Sequence, residues 1–129
     1  IDAPCSATGT IRRNPDIFIK PAPKNLDDLI KIQDNILKNA SKILNKNGII
    51  MYITCSLQKI EGERRIEKFL IEQSNFSIIP FCPNEYPLIE SCITKEGFLR
   101  ILPNNLTFGS DNIINGSDGF FVSLLKMDT

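Results

Sequence analysis

Residues 48–58 read GIIMYITCSLQ, and the reading of this stretch decides the fold. Ile49, Ile50, Tyr52, Ile53 and Thr54 are β-branched or aromatic, types that suit a pleated strand. The run is apolar at odd and even positions alike, which predicts a strand over 49–54 covered on both faces, as in parallel α/β sheets. Toward the N-terminus, residues 21–48 place Leu26, Leu29, Ile30, Ile36, Leu37, Ala40, Ile43 and Leu44 at three- and four-residue spacing. That is the period of an amphipathic helix, with Gly48 as its stop. Toward the C-terminus, residues 61–73 (EGERRIEKFLIEQ) predict a second helix. Glu61 and Glu63 fall near its first turn, where the helix dipole favours carboxylates, and Ile66, Phe69, Leu70 and Gln73 share one face. A strand is thus set between two helices, with a thiol, Cys55, where the strand runs out.

The alternation continues outward. Residues 76–80 (FSIIP) predict another strand and 118–126 (DGFFVSLLK) a last one with both faces apolar. Residues 81–118, rich in Pro, Asn, Gly and Ser, predict an irregular insertion with a short strand at 97–102 (GFLRIL). Strand, helix, strand, helix, strand is the rhythm of an α/β fold with a mainly parallel sheet.

Composition excludes several function classes. At 129 residues the chain is one domain or a piece of one, and Ile1, already at a strand-to-loop junction, predicts a piece. Fifteen basic against fifteen acidic residues leave no general nucleic-acid charge, so an RNA partner needs a local basic patch or another domain. The longest apolar runs are strand-sized, which predicts no membrane span. The cysteines at 5, 55, 82 and 92 form no C-x-x-C pair, and there is no histidine. A metal site, a thioredoxin-like motif and a cysteine-histidine dyad are therefore disfavoured, and the unpaired thiols predict a reducing, cytoplasmic setting.

A second thiol stands in a frame like that of Cys55. Residues 1–16 read IDAPCSATGTIRRNPD, so Cys5-Ser6 answers Cys55-Ser56, each just past an apolar run. In open α/β sheets ligands bind beyond the carboxyl ends of the strands. If the two strands are neighbours, about 4.8 Å apart, their loops bring both sulfurs to one substrate atom. A free cysteine is often only a small buried hydrophobe. That reading is kept for Cys82 and Cys92, which lack such a frame.

The segments DAPCSATGTIRRNPDI and TCSLQKIEGE resemble the two cysteine motifs of the RsmB/NOL/NOP/Sun family of RNA (cytosine-5) methyltransferases, and EGFLRILP with DGFFVSLLK resembles that family's closing segment. The resemblance runs nearly end to end. It implies that residues 1–129 are the C-terminal half of a Rossmann-like, S-adenosyl-L-methionine-dependent methyltransferase domain, with the strand at 120–126 antiparallel beside the strand at 49–54. The family's glycine-rich cofactor loop and ribose-binding acid have no counterpart in the chain, so the main cofactor site lies outside it, and Asp2 and Pro4 border it at most. The truncated sheet implies an apolar edge open to self-association.

The resemblance also implies roles. C5 of cytosine is a poor nucleophile, and addition of a thiolate to C6 activates it. Cys55 is implied to be that nucleophile and Cys5 to assist product release. Asp2 is the candidate to hydrogen-bond or protonate the pyrimidine, and Pro4 stiffens the loop that presents Asp2 and Cys5. Arg12 and Arg13 match paired arginines of the family and are candidates for phosphate contact or for fixing the loop. Arg64 and Arg65 read as exposed helix residues. Gly62 replaces the asparagine of a family Glu-Asn-Glu pattern at 61–63, and Ile19 replaces a tryptophan. The implied substrate is rRNA or tRNA. The competing readings are a catalytically silent RNA-binding or ribosome-assembly module on the same fold, a thiol redox or metal module, and a DNA cytosine methyltransferase, which has no need of the Thr-Cys-Ser cysteine.

Overall fold

A computed structural model describes residues 1–19, 25–105 and 116–128. Helix α1 (Leu26–Ile43) begins at Asn25, whose side chain accepts a hydrogen bond from the Asp28 amide at 2.8 Å. Asp27 and Asp28 occupy its first turn and Lys42 its last, in agreement with the helix dipole. The helix stops before Gly48: Asn47 takes the left-handed conformation at φ 61°, and the chain turns there into strand β1 (Ile49–Thr54). The helix itself ends earlier, where Leu44 turns extended, so Gly48 is not its stop; Asn47, which tolerates the left-handed region better than most residues, makes the turn into β1 instead.

Helix α2 (Glu63–Glu72) and strand β2 (Phe76–Ile79) follow, then β3 (Leu99–Ile101) and β4 (Phe120–Met127). Between β2 and β3 the chain makes two 3-10 segments, Pro83–Glu85 and Pro87–Cys92. Strand β4 is the antiparallel member at the middle of the sheet. On one side it pairs with all of β1, from Ile49 opposite Lys126 to Thr54 opposite Phe121. On the other it pairs first with β2, then with β3, which resumes the line that β2 leaves. Strands β1, β2 and β3 therefore run the same way, with β4 reversed between them. The direct parallel contact is between residues 1–3 and β1: Ile53 N donates to Ile1 O and Ala3 N to Ile53 O, both at 2.9 Å. Expectations for residues 20–24 and 106–115, including part of the proposed insertion, lie outside the described residues.

Both helices cover one face of the sheet. Leu37 of α1 and Ile66 and Phe69 of α2 meet Ile50, Tyr52, Phe76, Phe121 and Leu125 in one apolar cluster, with the Tyr52 and Phe121 rings edge to face at 6.4 Å. The expectation that β1 is covered on both faces is corrected. Ile50 and Tyr52 are buried, but Ile49 is 55% and Met51 46% exposed, because both described helices lie on the other face. Three single residues also differ from expectation. Ile43, at the last turn of α1, is 85% exposed. Arg65 is buried: α2 turns it toward α1, where it donates to both Asp34 carboxylate oxygens and to Ile60 O. Cys82 is exposed beside Pro80 O and does not pack, whereas Cys92 is buried as expected.

Candidate active site

The parallel contact at residues 1–3 fixes where the two cysteine loops meet. Extended past Ile53, it brings Gly9 N to Cys55 O at 2.8 Å, and Gly119 N continues to Gly9 O at 2.8 Å. A Cβ on Gly9 would stand 2.2 Å from Gly119 O and 2.7 Å from Cys55 O, so three backbones close together where only glycine fits. Thr8 adds a tie by accepting from Leu57 N at 2.9 Å. The result sets the Cys5 and Cys55 sulfurs 3.5 Å apart, both half-buried.

At that distance one sulfur can donate its proton to the other. The hydrogen bond from Cys5 lowers Cys55 to about 7, against the upward push of burial. Cys5 moves the other way, held protonated by the same hydrogen bond and by burial. The pair thus tends to one thiolate, Cys55, and one thiol, Cys5.

Beneath the thiols lies a buried carboxylate. Glu61 is fully buried in the short turn between β1 and α2. Its Oε2 accepts from Ser6 Oγ and Ser56 Oγ, each at 2.5 Å, and its Oε1 accepts from Ser6 N at 2.9 Å and Gln33 Nε2 at 3.1 Å. Gln33, buried on α1, also donates to Pro4 O at 2.9 Å. Gln58 Nε2 donates to Ser6 Oγ, and Tyr52 OH donates to Glu61 O.

A second clasp comes from β3. Arg100 donates to Glu63 through Nε and Nη2, at 3.1 and 2.5 Å, and to Ser56 O at 2.7 Å, while its guanidinium lies 4.8 Å from the Phe121 ring centre. Gly62 allows this: a Cβ there would meet Arg100 Nη2 at 2.6 Å and Phe121 at 2.8 Å.

The structure brings Asp2, Pro4, Cys5 and Cys55 to one end of β1. Asp2 and Pro4 are exposed there. Arg13 donates through Nε and Nη2 to Asp118, which ties the Cys5 loop to the approach to β4 and holds the Asp118 carboxyl below its ordinary range. Arg12 is exposed. Sequence reasoning missed Glu61, Ser6, Ser56, Gln33, Arg100 and Asp118. The one signal for them is the serine repeated after each cysteine. Among the described residues no three His, Cys, Asp or Glu side chains are grouped to hold a metal ion, and no helix is long and apolar enough to cross a membrane.

The model of the 16S rRNA methyltransferase RsmB/F family matches residues 1–126. The chain belongs to this RsmB/F family. The probable ribosomal RNA small subunit methyltransferase B of Synechocystis sp. is 32% identical over 126 residues, 98% of this chain and 26% of that protein. The crystal structure of PH0851 is 28% identical with a TM-score of 0.77, covering 96% of this chain and 25% of that one. NSun6 from Pyrococcus horikoshii, crystallised with SFG, shares the fold at a TM-score of 0.69 and 22% identity, over all of this chain and 29% of that one. This RsmB/F-family chain spans about a quarter of the length of the curated relatives it matches. Its sheet is an open α/β sheet in which β4 is the reversed strand, so that the ladders between the described strands are antiparallel.

Proposed function

We propose that the chain is the cytosine-handling part of an RNA (cytosine-5) methyltransferase catalytic domain that acts on rRNA. The carrying observation is the Cys5–Cys55 contact at 3.5 Å with Cys55 poised as a thiolate. Family membership and the rRNA methyltransferases among the relatives support the substrate class.

Cys55 Sγ attacks C6 of the target cytosine and forms an S–C6 bond, while the electrons of the C5–C6 double bond move onto C5 and the ring. Asp2, exposed beside Cys55, hydrogen-bonds or protonates the pyrimidine edge as that charge develops. The nucleophilic C5 then takes up the methyl group. Loss of the C5 proton to water restores the double bond and breaks S–C6. Cys5 assists that release because its sulfur lies 3.5 Å from the departing one, within reach to donate its S–H to the returning thiolate. Arg12, exposed and near enough to Asp118 to help lower its carboxyl, offers a cation to an RNA phosphate, and Arg13, held on Asp118, fixes the loop and offers its exposed edge.

S-adenosyl-L-methionine supplies an electrophilic methyl group when bound. The described residues fit the rim of such a site and not its cradle. Asp2 and Pro4 are open to it, but Gly9, Gly62 and Gly119 face protein atoms at close range and leave no glycine-lined hollow. SFG, an S-adenosylmethionine analogue, in the NSun6 structure supports the same cofactor. On this reading the cradle lies outside residues 1–129. A cytoplasmic location follows from the proposed rRNA substrate and the free thiols. The outer edge of residues 1–3 would support self-association of the chain taken alone.

The test is methylation of rRNA by the full-length protein with S-adenosylmethionine, mapped by bisulfite sequencing. The expected result is 5-methylcytosine at a defined position, lost in Cys55→Ala. Binding of rRNA with no 5-methylcytosine would return the chain to the silent RNA-binding or assembly reading.

A further inference from the structure

Glu61 has no part in the chemistry above, and it does not touch either sulfur, yet it is among the most enclosed charged groups in the chain. A buried carboxylate is costly to desolvate and survives only where donors surround it. Here four donors from three separate segments converge on it: the Cys5 loop, the Cys55 loop and α1. An apolar side chain would fill the same space without that cost, so the donors it gathers are the reason to look for a role.

The geometry points to Glu61 as the positioning residue that sets the two thiols at contact distance. It does so through the serine that follows each cysteine. Ser6 Oγ and Ser56 Oγ bond the same oxygen, Oε2, and so stand 3.2 Å from each other. Each serine is one peptide from its cysteine. Fixing the two hydroxyls on one atom therefore adds to the backbone ties at Gly9 and Thr8 a grip on the residue next to each cysteine, and together they hold the sulfurs at 3.5 Å. This gives the repeated Cys-Ser pair a physical reason: the cysteines meet the substrate, and the serines meet Glu61. This joint works beside the bond from Gly9 N to Cys55 O and the ties of Thr8 Oγ1 to Ser56 Oγ and Leu57 N, which join the same two loops three and four residues beyond Cys5.

The inference rests on the reading of Cys55 and Cys5 as the reacting pair, but its test reads sulfur spacing and needs no methylation. Diamide, a two-electron thiol oxidant, takes two electrons and two protons from Cys5 and Cys55 and leaves a disulfide. The sulfurs must close to about 2.05 Å, so the rate reports how near they are held. In the full-length protein, the rate of Cys5–Cys55 disulfide formation is followed by mass spectrometry after quenching. Glu61→Ala is expected to slow it about tenfold or more, in line with the sensitivity of reacting groups to misplacement of about 1 Å. Ser6→Ala, Ser56→Ala and the double serine variant remove little volume, remain folded, and are expected to give one common slowing rather than additive ones, because cutting either arm frees the joint. Glu61→Gln, which keeps the shape and can still bond both hydroxyls, is expected to recover part of the rate. Leu37→Ala, destabilised in the apolar cluster and making no side-chain hydrogen bond to Glu61 or to either cysteine loop, serves as the reference for a purely structural loss and is expected to leave the rate unchanged. Additive serine effects, or a Leu37→Ala rate as slow as the serine variants, would overturn the proposal. Normal disulfide kinetics in every variant would overturn it too. A protein that shows the expected pattern but never methylates RNA would refute the proposed function and leave the positioning role of Glu61 standing.

Discussion

Cys55 owes its acidity to its neighbour. The largest cause of its fall to about 7 is the hydrogen bond from Cys5, so the thiolate fraction should rise with a midpoint near that value. A lowered value means that more thiolate is present at neutral pH than for an ordinary thiol near about 8.5. The rate of Cys55 alkylation by iodoacetamide, read by peptide mass spectrometry against pH, is expected to show that midpoint. In Cys5→Ala the donor is gone, and the midpoint is expected to move upward; an unmoved midpoint would detach the two thiols. Gly9 is the other decisive residue, because a Cβ would collide with Gly119 O and Cys55 O. Overpacking of this kind costs about 1–3 kcal/mol, and Gly9→Ala is expected to lower the melting temperature and slow Cys5–Cys55 disulfide formation together. At this scale the sequence showed the two cysteines and their matching frames. It hid Glu61, because a carboxylate just before a helix reads equally well as a dipole partner, and only the fold shows that Ser6, Ser56 and Gln33 surround it.

The elements were legible where one physical signal dominated. The β-branched run of β1 and the 3.6-residue period of α1 and α2 each fixed an element within a few residues. What the patterns could not give was the side of the sheet that each helix covers. An apolar strand reads as covered on both faces, yet α1 and α2 lie on the face of Ile50 and Tyr52 and leave Ile49 and Met51 open. Arg65 shows the same limit: its charge suggests solvent, and its burial depends on Asp34 from a helix far off in sequence. The reversed direction of β4 came from the resemblance, since no periodicity encodes strand direction. The covered face carries most of the apolar contact, so Ile66→Ala, at a fully buried position, is expected to cost about 2–5 kcal/mol in denaturant unfolding, whereas Ile71→Ala, 83% exposed, should cost little. Equal losses at the two positions would contradict the layer assignment.

The described residues present two cysteine loops at the end of one strand, a helical layer on one sheet face and a second face on which Ile49 and Met51 are exposed. As proposed above, the S-adenosylmethionine cradle lies outside residues 1–129, so calorimetric titration of these residues alone is expected to give weak or undetectable binding. Micromolar affinity would show that the cradle has been misplaced. On the proposed reading the chemistry is followed in the full-length protein with S-adenosylmethionine and labelled rRNA, and there the two thiols separate most cleanly. Denaturing gel electrophoresis after the reaction reads any covalent protein–RNA adduct. Cys5→Ala is expected to give a shifted band on methylated RNA, because addition and methyl transfer proceed while release of sulfur slows. Cys55→Ala and the double variant are expected to give neither band nor methylation. A band with Cys55→Ala and none with Cys5→Ala would move the nucleophile to Cys5 and contradict the account.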